Sequence, residues 1–330
     1  MTTIRLRTEL GGEDGHVLLT AATAAPSLHN SQPWSFDMDG GEVLVYADPG
    51  RQLTRADPSG RSLLISCGAA LFNLRVAAEH LGFHPRVRVL PSPAEPTLVA
   101  NVSLDGRHAH LGGLAAYYPA IAARRTNRLP FHDRPLPQSA LASLAEAARA
   151  ENAMLRIYDD PNEVSRIVDL LGEAEVREAG DPAVRVERQG WIGGPHRDDG
   201  VPTRSLGPRP DEPGVPFRDL GDGVSVTRDY ARFESTPTVA VLSTLHDERV
   251  DWVRAGQALQ RVLLEATASG LAASFMNQPL EQPALRGQVR SPTSGVGHSH
   301  MIMRIGFGDP VPSTPRRPVS AVRRERSRST

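Results

Sequence analysis

The sequence contains no lysine, so all 37 of its basic residues are arginine. This absence excludes a lysine Schiff base to pyridoxal phosphate, a P-loop lysine and the strand lysine of protein kinases. Cys67 is the single cysteine, which excludes an internal disulfide and a cysteine-based zinc cluster and favours a reducing compartment. The 37 basic residues face 38 acidic ones, and this balance predicts neither a nucleic-acid partner nor an anionic membrane. Any phosphate group must therefore be bound by arginine.

Long apolar runs are also missing, and no apolar stretch approaches the length of a transmembrane helix. Arg5 and Arg7 precede an apolar segment that loosely resembles a signal peptide. That segment is short, and Glu9, Glu13 and Asp14 interrupt the pattern. We therefore expect a cytoplasmic protein with no membrane partner.

Apolar residues recur with both helical and strand periods, which predicts an α+β fold. Helices are predicted over residues 14–25, 57–83, 138–150, roughly 160–192 and 256–271, with a further helical region from Leu114. Strands are predicted over residues 42–48, 86–90, 97–104, 236–244 and 298–308. The arginine-rich tail after Pro310 is predicted to be irregular.

Residues 192–223 contain too much proline and glycine for regular structure. A segment of this length inside a domain is typically either a functional lid or disordered. Both interpretations remain open from the residues alone.

An internal similarity links the two ends of the chain. When residues 68–82 are aligned with residues 256–270, both terminal glycines match, and so do Ala70 with Ala258, Leu71 with Leu259, and Ala78 with Ala266. Alanine-rich helices also match by chance, but the similar helix-then-strand surroundings favour a diverged duplication. Two related halves would leave a cleft between them as a natural ligand site.

The segment PSLHNSQPWSF, residues 26–36, is poor in charge and rich in rigid hydrogen-bonding groups. Pro26 and Pro33 restrict the backbone, so Asn30 and Gln32 extend from a stiff loop. Each carboxamide offers one acceptor and two donors, which complements the pyrimidine edge of a flavin. The alternative is an ordinary proline-capped turn whose polar groups bond to the backbone.

A second cluster, RRTNR at residues 124–128, combines three arginines with a hydroxyl. Arg124 and Arg128 share a face if the preceding helix persists, and their guanidinium groups could pair with phosphate oxygens. The alternative is a solvated surface at a helix end.

Both stretches resemble motifs of one family. PSLHNSQPW is similar to the P-S-x-x-N-x-Q-P-W segment of the FMN-dependent nitroreductase superfamily, and RRTNR resembles that family's R-x-[ST]-x-[KR] phosphate motif. Ordinary nitroreductases carry the arginine motif first and complete the flavin site across a homodimer, whereas here the loop comes first. With LAASFMNQPLE at 271–281 and TPRRPVSAV at 314–322, the chain resembles the Acg family of actinobacterial nitroreductase-like proteins.

This resemblance implies a nitroreductase-like fold made of two tandem, diverged halves that form an internal pseudo-dimer. The first half would comprise residues 1–112 and the second residues 113–330, with a lid-like insertion at about 192–223. The chain would then be a monomer or a weak homodimer that binds one FMN.

The resemblance also implies which residues bind the cofactor. Contacts to the flavin ring from the first half correspond to Pro26, Ser27, Leu28, Asn30 and Gln32. Contacts to phosphate and ribityl correspond to Arg124, Arg125, Thr126 and Arg128, with a second phosphate arginine at Arg316 or Arg317. Asn277 and Gln278 correspond to the two positions whose backbone amides approach flavin N5 and O4 in the family. Members of the family often have Glu-Gly at these positions. The flavin itself carries the reactive atom, so no catalytic side chain is implied.

The function implied is two-electron transfer from NADH or NADPH through FMN to a small electron-poor acceptor, such as a nitro or quinone-like compound. One alternative is an FMN-sequestering or storage protein with an occluding lid and no turnover. Flavin destruction, as in a related enzyme, is a third hypothesis. No metal site is predicted, because the pairs His108 with His110 and His298 with His300 lack a carboxylate at metal spacing.

Overall fold

Two antiparallel four-stranded sheets and two long central helices organise the chain. The computed structural model describes residues 11–106, 113–158, 160–193, 198–212, 217–221, 226–290 and 297–324. The helices are α1 (Gly12–Thr23), α2 (Arg61–His80), α3 (Tyr118–Ala123), α4 (Gln138–Arg149), α5 (Pro161–Gly180), α6 (Pro182–Trp191), α7 (Arg249–Ala268), α8 (Pro283–Arg290) and α9 (Val319–Val322). The strands are β1 (Trp34–Asp39), β2 (Glu42–Ala47), β3 (His84–Val89), β4 (Leu98–Asp105), β5 (Met154–Tyr158), β6 (Arg209–Pro210), β7 (Tyr230–Ala231), β8 (Thr238–Thr244), β9 (Ala272–Phe275) and β10 (His298–Gly306).

The two large sheets have the same topology. The first has the order β1-β2-β4-β3 and the second has the order β5-β8-β10-β9, so each reads first, second, fourth, third along its part of the chain. In both, the long helix, α2 or α7, lies between the second strand and the third. This agreement supports the prediction of two diverged halves, which stays a prediction. We call residues 1–112 the first half and residues 113–330 the second half.

Helices α2 and α7 cross in direct backbone contact. A Cβ atom on Gly68 would lie 2.2 Å from the carbonyl oxygen of Val253, and one on Gly256 would lie 2.0 Å from that of Ile65. The contact is reciprocal, since each glycine meets a carbonyl three residues before the other glycine. These are the two glycines that the internal alignment superimposes. Only glycine permits this approach, because any side chain would overlap the facing backbone.

Helix α2 is the core of the first half. Its apolar residues pack under β1, β2 and β4 together with those of α1. This helix has 20 residues, and an 18-residue stretch of it has a mean hydropathy of 1.3, so by length and composition it could cross a membrane and the expectation that no stretch approaches that length is wrong. Of that stretch, 83% is buried inside the protein, as in core helices that pass the same test.

Several elements differ from the sequence predictions. Five strands were not predicted: β1, β5, β6, β7 and β9. The helical region at 160–192 is two helices, broken where Asp181 caps the start of α6 by accepting hydrogen bonds from Ala183 and Val184. The tail is not wholly irregular. It forms α9, and the Arg324 amide donates to the Phe36 carbonyl at 2.7 Å, so the end of the chain returns to the first half.

The helix crossing can be tested by adding one methyl group. Gly68→Ala should lower the free energy of unfolding by roughly 1–3 kcal/mol, because the added carbon overlaps a backbone oxygen that cannot move aside. Gly172→Ala is the matched control. Gly172 is exposed in α5 with open space around its Cβ position, so the same change should raise stability by roughly 0.5–1 kcal/mol. Chemical denaturation measures both, and equal effects would contradict the close crossing.

Candidate active site

One cavity gathers most of the residues singled out in the two sequence motifs. Its wall includes Pro26, Ser27, Leu28, Asn30, Arg124, Thr126, Arg128, Asn277 and Arg316 from the predicted set. The structure thus brings together the loop of the first half and the arginine motif of the second, which are about 100 residues apart in sequence. The remaining wall residues come from both long helices, from β9 and β10, and from loops: His29, Ser62, Ile65, Ser66, Val201, Arg218, Leu220, Leu259, Phe275, Met301 and Thr314.

The loop at 26–32 has an unusual backbone. The backbone φ values of His29, Asn30 and Gln32 are 47°, 57° and 49°. They lie in the left-handed region, which residues other than glycine rarely adopt. Hydrogen bonds compensate for this strain. Within the loop, the Gln32 backbone amide donates to the Ser27 hydroxyl at 2.9 Å, and from outside it, Gly200 and Arg316 bond the Asn30 carboxamide. The loop is therefore held in its shape by the surrounding structure.

The Asn30 side chain is fully used by protein groups. Its Nδ2 donates to the carbonyls of Gly200 at 2.9 Å and Pro315 at 3.0 Å, and its Oδ1 accepts from Arg316 Nη1 at 3.0 Å. The hypothesis that this amide turns toward a heterocycle edge does not fit these contacts. Asn30 instead joins three separate segments at the edge of the cavity.

The arginine motif is extended rather than helical. Helix α3 ends at Ala123, and the Asn127 amide donates to the Ala273 carbonyl of β9 at 2.9 Å, beside a bridge between Thr126 and Ala273. The interpretation that a persisting helix aligns Arg124 with Arg128 is therefore wrong. In an extended chain alternate residues share a face, so Arg124, Thr126 and Arg128 all reach the cavity.

Positive charge dominates the cavity. Arg124, Arg128, Arg218 and Arg316 line it, and no acidic side chain does among the residues that the structure describes. Burial, together with repulsion from Arg316 and Arg125, lowers the pKa of Arg124 to about 9. Burial and Arg218 lower the pKa of Arg128 to about 10, and burial with Arg125 lowers that of Arg316 to about 10. These pKa values are lowered first by burial and second by repulsion between neighbouring arginines.

Arg124 is a buried cation with unpaired hydrogen-bond donors. It is 4% exposed, and its Nε and Nη1 atoms have no hydrogen-bond partner within the described parts of the chain. Burying such donors unpaired is costly, whereas an anion would satisfy them with charge-assisted hydrogen bonds. The cluster of Arg124, Arg128 and Arg316 therefore fits a phosphate group, and the solvated-surface alternative does not hold for Arg124.

Four of the predicted residues lie outside the cavity wall. Gln32 is fully buried, and its side chain bonds the Asp198 carbonyl and the Arg317 amide. Arg317 donates to the carbonyls of Gln32 and Trp34. The Arg125 side chain donates to two nearby carbonyls, those of Ala122 and Arg124. Of the two tail arginines, Arg316 is therefore the one placed at the cavity.

Asn277 and Gln278 occupy a turn between β9 and α8. Asn277 lines the cavity, and its Oδ1 accepts from the Ile302 amide at 2.8 Å, which ties the turn to β10. Gln278 is buried behind the wall, where its Nε2 donates to Glu175 at 3.2 Å and to the Phe217 carbonyl at 3.3 Å. Gln278 therefore supports the turn from behind.

Sequence reasoning missed part of the wall. From α2 come Ser62, Ile65 and Ser66, whose helical spacing on one face was a usable signal. His29 sits inside the quoted motif, and burial, with Arg218, Arg188 and Arg128 nearby, lowers its pKa well below the usual value. Arg218 and Leu220 had no local signal, since only the fold places them here.

The proline-rich segment packs over this cavity. We call its described residues, 198–212 and 217–221, the covering segment. The Gly200 amide donates to the Asn30 carbonyl at 3.2 Å, Arg51 pairs with Asp199, and Arg128 donates to the Ser205 carbonyl at 2.9 Å. Its apolar residues Val201, Leu206 and Leu220 form a small buried cluster with Ile192. The segment thus contacts both sequence motifs.

The described residues include no group of three or more His, Cys, Asp and Glu side chains arranged to hold a metal ion. His300 is buried, its Nε2 lies 2.5 Å from the Thr244 hydroxyl, and burial lowers its pKa to about 3. His108 and His110 lie outside the described residues.

Comparison with known proteins identifies the family. The model of the "Nitroreductase family" matches residues 121–307, which include the arginine motif, the Asn277 turn and both long strands of the second sheet. This chain belongs to the nitroreductase family. The predicted resemblance and the nitroreductase-like α+β fold are therefore confirmed.

Relatives in this family cover nearly the whole chain. It is 32% identical to the Mycobacterium tuberculosis H37Rv protein named "Putative NAD(P)H nitroreductase Rv3131" over 316 residues, 94% of this chain and 91% of that protein. It is 30% identical to "Putative NAD(P)H nitroreductase acg" of the same strain over 309 residues, 91% and 92% of the two chains. The second match confirms the Acg-like resemblance.

Solved structures show weaker similarity. Nitroreductase A from Vibrio parahaemolyticus aligns with 65% of this chain and 78% of its own, at 14% identity and a TM-score of 0.40. A nitroreductase with bound FMN from Desulfitobacterium hafniense aligns with 60% and 93%, at 14% identity and a TM-score of 0.38.

The arginine cluster predicts a specific response to phosphate. Millimolar inorganic phosphate should raise the melting temperature of the protein by roughly 2–4 °C, because an anion bound only by the folded state stabilises it. Arg124→Gln should remove this response. In phosphate-free buffer the same variant should melt no lower than the native chain, since it loses a buried cation that has no counter-charge.

Arg125→Gln is the matched control, because Arg125 is the neighbour in sequence but lies outside the cavity wall. It should keep the phosphate response. Differential scanning fluorimetry measures all three proteins, and a response that survives in Arg124→Gln but disappears in Arg125→Gln would contradict the assigned site.

Proposed function

We propose that this protein is an FMN-dependent oxidoreductase that transfers two electrons from NADH or NADPH to a small electron-poor acceptor, such as a nitro or quinone-like compound. One observation carries the proposal: a single cavity joins the loop at 26–30 to a buried arginine cluster, and no acidic side chain of the described residues lines that cavity. FMN is a planar ring with a phosphate at the far end, so it needs both surfaces at once.

The residues present fit FMN at each end. Arg124, Arg128 and Arg316 would hold the phosphate, with the Thr126 hydroxyl beside them. Apolar side chains that suit the ring come from both halves: Leu28, Ile65, Leu259, Phe275 and Met301. When bound, FMN supplies the ring nitrogen that accepts and returns hydride.

The chain's own residues would bind, orient and shield the cofactor. The arginines would oppose the phosphate charge, the strained loop would hold Leu28 in place, and the covering segment would exclude water from one side. His29 would stay uncharged in this cavity, since its pKa is lowered well below the usual value. No side chain is required as a base.

NADH or NADPH would act as a transient donor. The names of the two Mycobacterium tuberculosis relatives, which refer to NAD(P)H, support this assignment. We further propose a cytoplasmic protein, because the single cysteine is free and buried, and a monomer or weak homodimer, because both contributions to the cavity come from one chain.

FMN sequestration without turnover is the second candidate function. The covering segment favours it, since Val201, Arg218 and Leu220 line the cavity and the Gly200 backbone is bonded to Asn30. A nicotinamide ring and an acceptor must each reach the flavin in turn, and a fixed cover would prevent this.

Anaerobic reduction distinguishes the two functions. The FMN-loaded protein mixed with NADH or NADPH should lose its flavin absorbance near 450 nm within seconds, and an added nitro or quinone acceptor should restore it. Dithionite is the control, because it reduces flavin with little dependence on a nicotinamide site. Bleaching by dithionite but by neither nicotinamide would refute the oxidoreductase proposal and support sequestration. Loss of the flavin itself in air would indicate destruction of the cofactor.

A further inference from the structure

Arg218 is the most heavily paired cation of the covering segment. Its Nη1 donates to Glu281 Oε1 at 2.5 Å and its Nη2 to Glu281 Oε2 at 2.6 Å, a two-pronged ion pair. Nη2 also lies 3.6 Å from Glu178 Oε1. The three side chains are 9% exposed or less, so solvent screens these interactions weakly.

The carboxylates belong to a different part of the fold. Glu178 lies near the end of α5, and Glu281 ends the short turn that begins after Asn277. Arg188 of α6 also pairs with Glu178, at 3.3 Å. The ion pairs therefore join the covering segment to α5 and to the turn that ends at Glu281, and both are distant from it in sequence. We call Arg188, Arg218, Glu178 and Glu281 the ion-pair cluster.

This cluster lies directly behind the cavity. Arg218 lines the cavity wall, and so does Asn277, four residues before Glu281. Between them Gln278 donates to the Phe217 carbonyl at 3.3 Å, beside Arg218. A movement of residues 217–221 would thus displace the Asn277 turn and open the wall at the same place.

The charges of Arg218 are better satisfied by protein than those of the other cavity arginines. Both Nη atoms are bound to carboxylates, whereas Arg124 has two unpartnered nitrogens. Glu281 and Glu178 raise the pKa of Arg218, although its burial alone would lower it. Arg218 is therefore suited to holding protein segments together, and Arg124 to binding an external anion.

We propose that Arg218 is a positioning residue whose ion pair with Glu281 holds residues 217–221 over the cavity and thereby sets how slowly bound FMN leaves. The inference rests on FMN as the cofactor of the proposed function, but it concerns retention and requires no electron transfer. Removing Arg218 leaves Glu281 without its ion-pair partner, and removing Glu281 leaves Arg218 with only the longer contact to Glu178. Losses of this kind appear mainly in dissociation rates.

Release of oxidised FMN from the full-length protein is the test. After dilution of the loaded protein, the rise in free-flavin fluorescence gives the dissociation rate constant. Arg218→Met and Glu281→Gln should each increase this rate on the order of tenfold or more. The double variant should release FMN no faster than the faster single variant, because both changes break the same interaction. Iodide should quench the bound flavin more strongly in all three.

Arg177→Met is the matched control. Arg177 pairs with Glu173 on the exposed face of α5, the helix that carries Glu178, and its loss should leave the release rate unchanged. Glu281→Asp is included in case Arg218→Met does not fold. It keeps the negative charge but shortens the side chain, so it should fold even then. It should also speed release, and circular dichroism with melting temperatures verifies that each variant is folded.

The outcomes separate this inference from the proposed function. Folded Arg218→Met, Glu281→Gln and Glu281→Asp proteins that release FMN within twofold of the native rate would overturn the role of Arg218. A rate that rises equally in Arg177→Met would also overturn it, since general loosening would then be the cause. A native protein that holds FMN but is not reduced by NADH or NADPH would refute electron transfer alone. A native protein that binds no FMN would refute both.

Discussion

The close crossing of α2 and α7 is the constraint on which the rest of this structure depends. With glycine at residues 68 and 256, the two helix backbones touch, and each helix carries one half of the fold beside it. The cavity opens along this contact, with Ser62, Ile65 and Ser66 on one helix and Leu259 on the other. A wider crossing would separate the loop at 26–30 from the arginines at 124–128, and neither motif forms a site alone.

The charges of the site are arranged in two different ways within a short distance. Arg124 is buried, and its Nε and Nη1 have no hydrogen-bond partner within the described parts of the chain, which is costly on its own but suits an external anion. Arg218 is buried with two carboxylates, and it connects protein segments. The same residue type is therefore available for an external anion in one place and is paired with protein carboxylates in the other. Because the chain contains no lysine, both tasks use the planar, forked guanidinium group, which suits phosphate and carboxylate alike.

The covering segment connects these features with the strained loop. Left-handed backbone at His29, Asn30 and Gln32 persists because surrounding groups bind it from several sides. Those groups come from residues 198–200 and from residues 315–317, which are remote in sequence. The shape of the loop thus depends on contacts from the covering segment and from residues 315–317. In turn, the loop fixes the positions of both.

Much of this protein could be predicted from its residues one segment at a time. The periods of apolar residues predicted α2, α7, β2, β8 and β10, because an amphipathic or buried element records its own surroundings in its sequence. The two motifs predicted a loop and an arginine cluster that the fold brings to one cavity; their binding of a cofactor stays a prediction. The internal alignment of residues 68–82 with residues 256–270 already pairs Gly68 with Gly256, the two glycines at the helix crossing.

Only the tertiary structure decided how these pieces meet. It showed that residues 124–128 are extended against β9, that Asn30 and Gln32 bind protein groups, and that Arg218 lies in the cavity wall. Such facts depend on partners 100 or more residues away, and no local pattern records a distant partner. The sequence by itself determined the family and most of the long helices and strands, and the absence of lysine left arginine as the only residue type available for a phosphate. The fold determined which arginine nitrogens are buried without a partner among the described residues, because burial and pairing are properties of the packed chain.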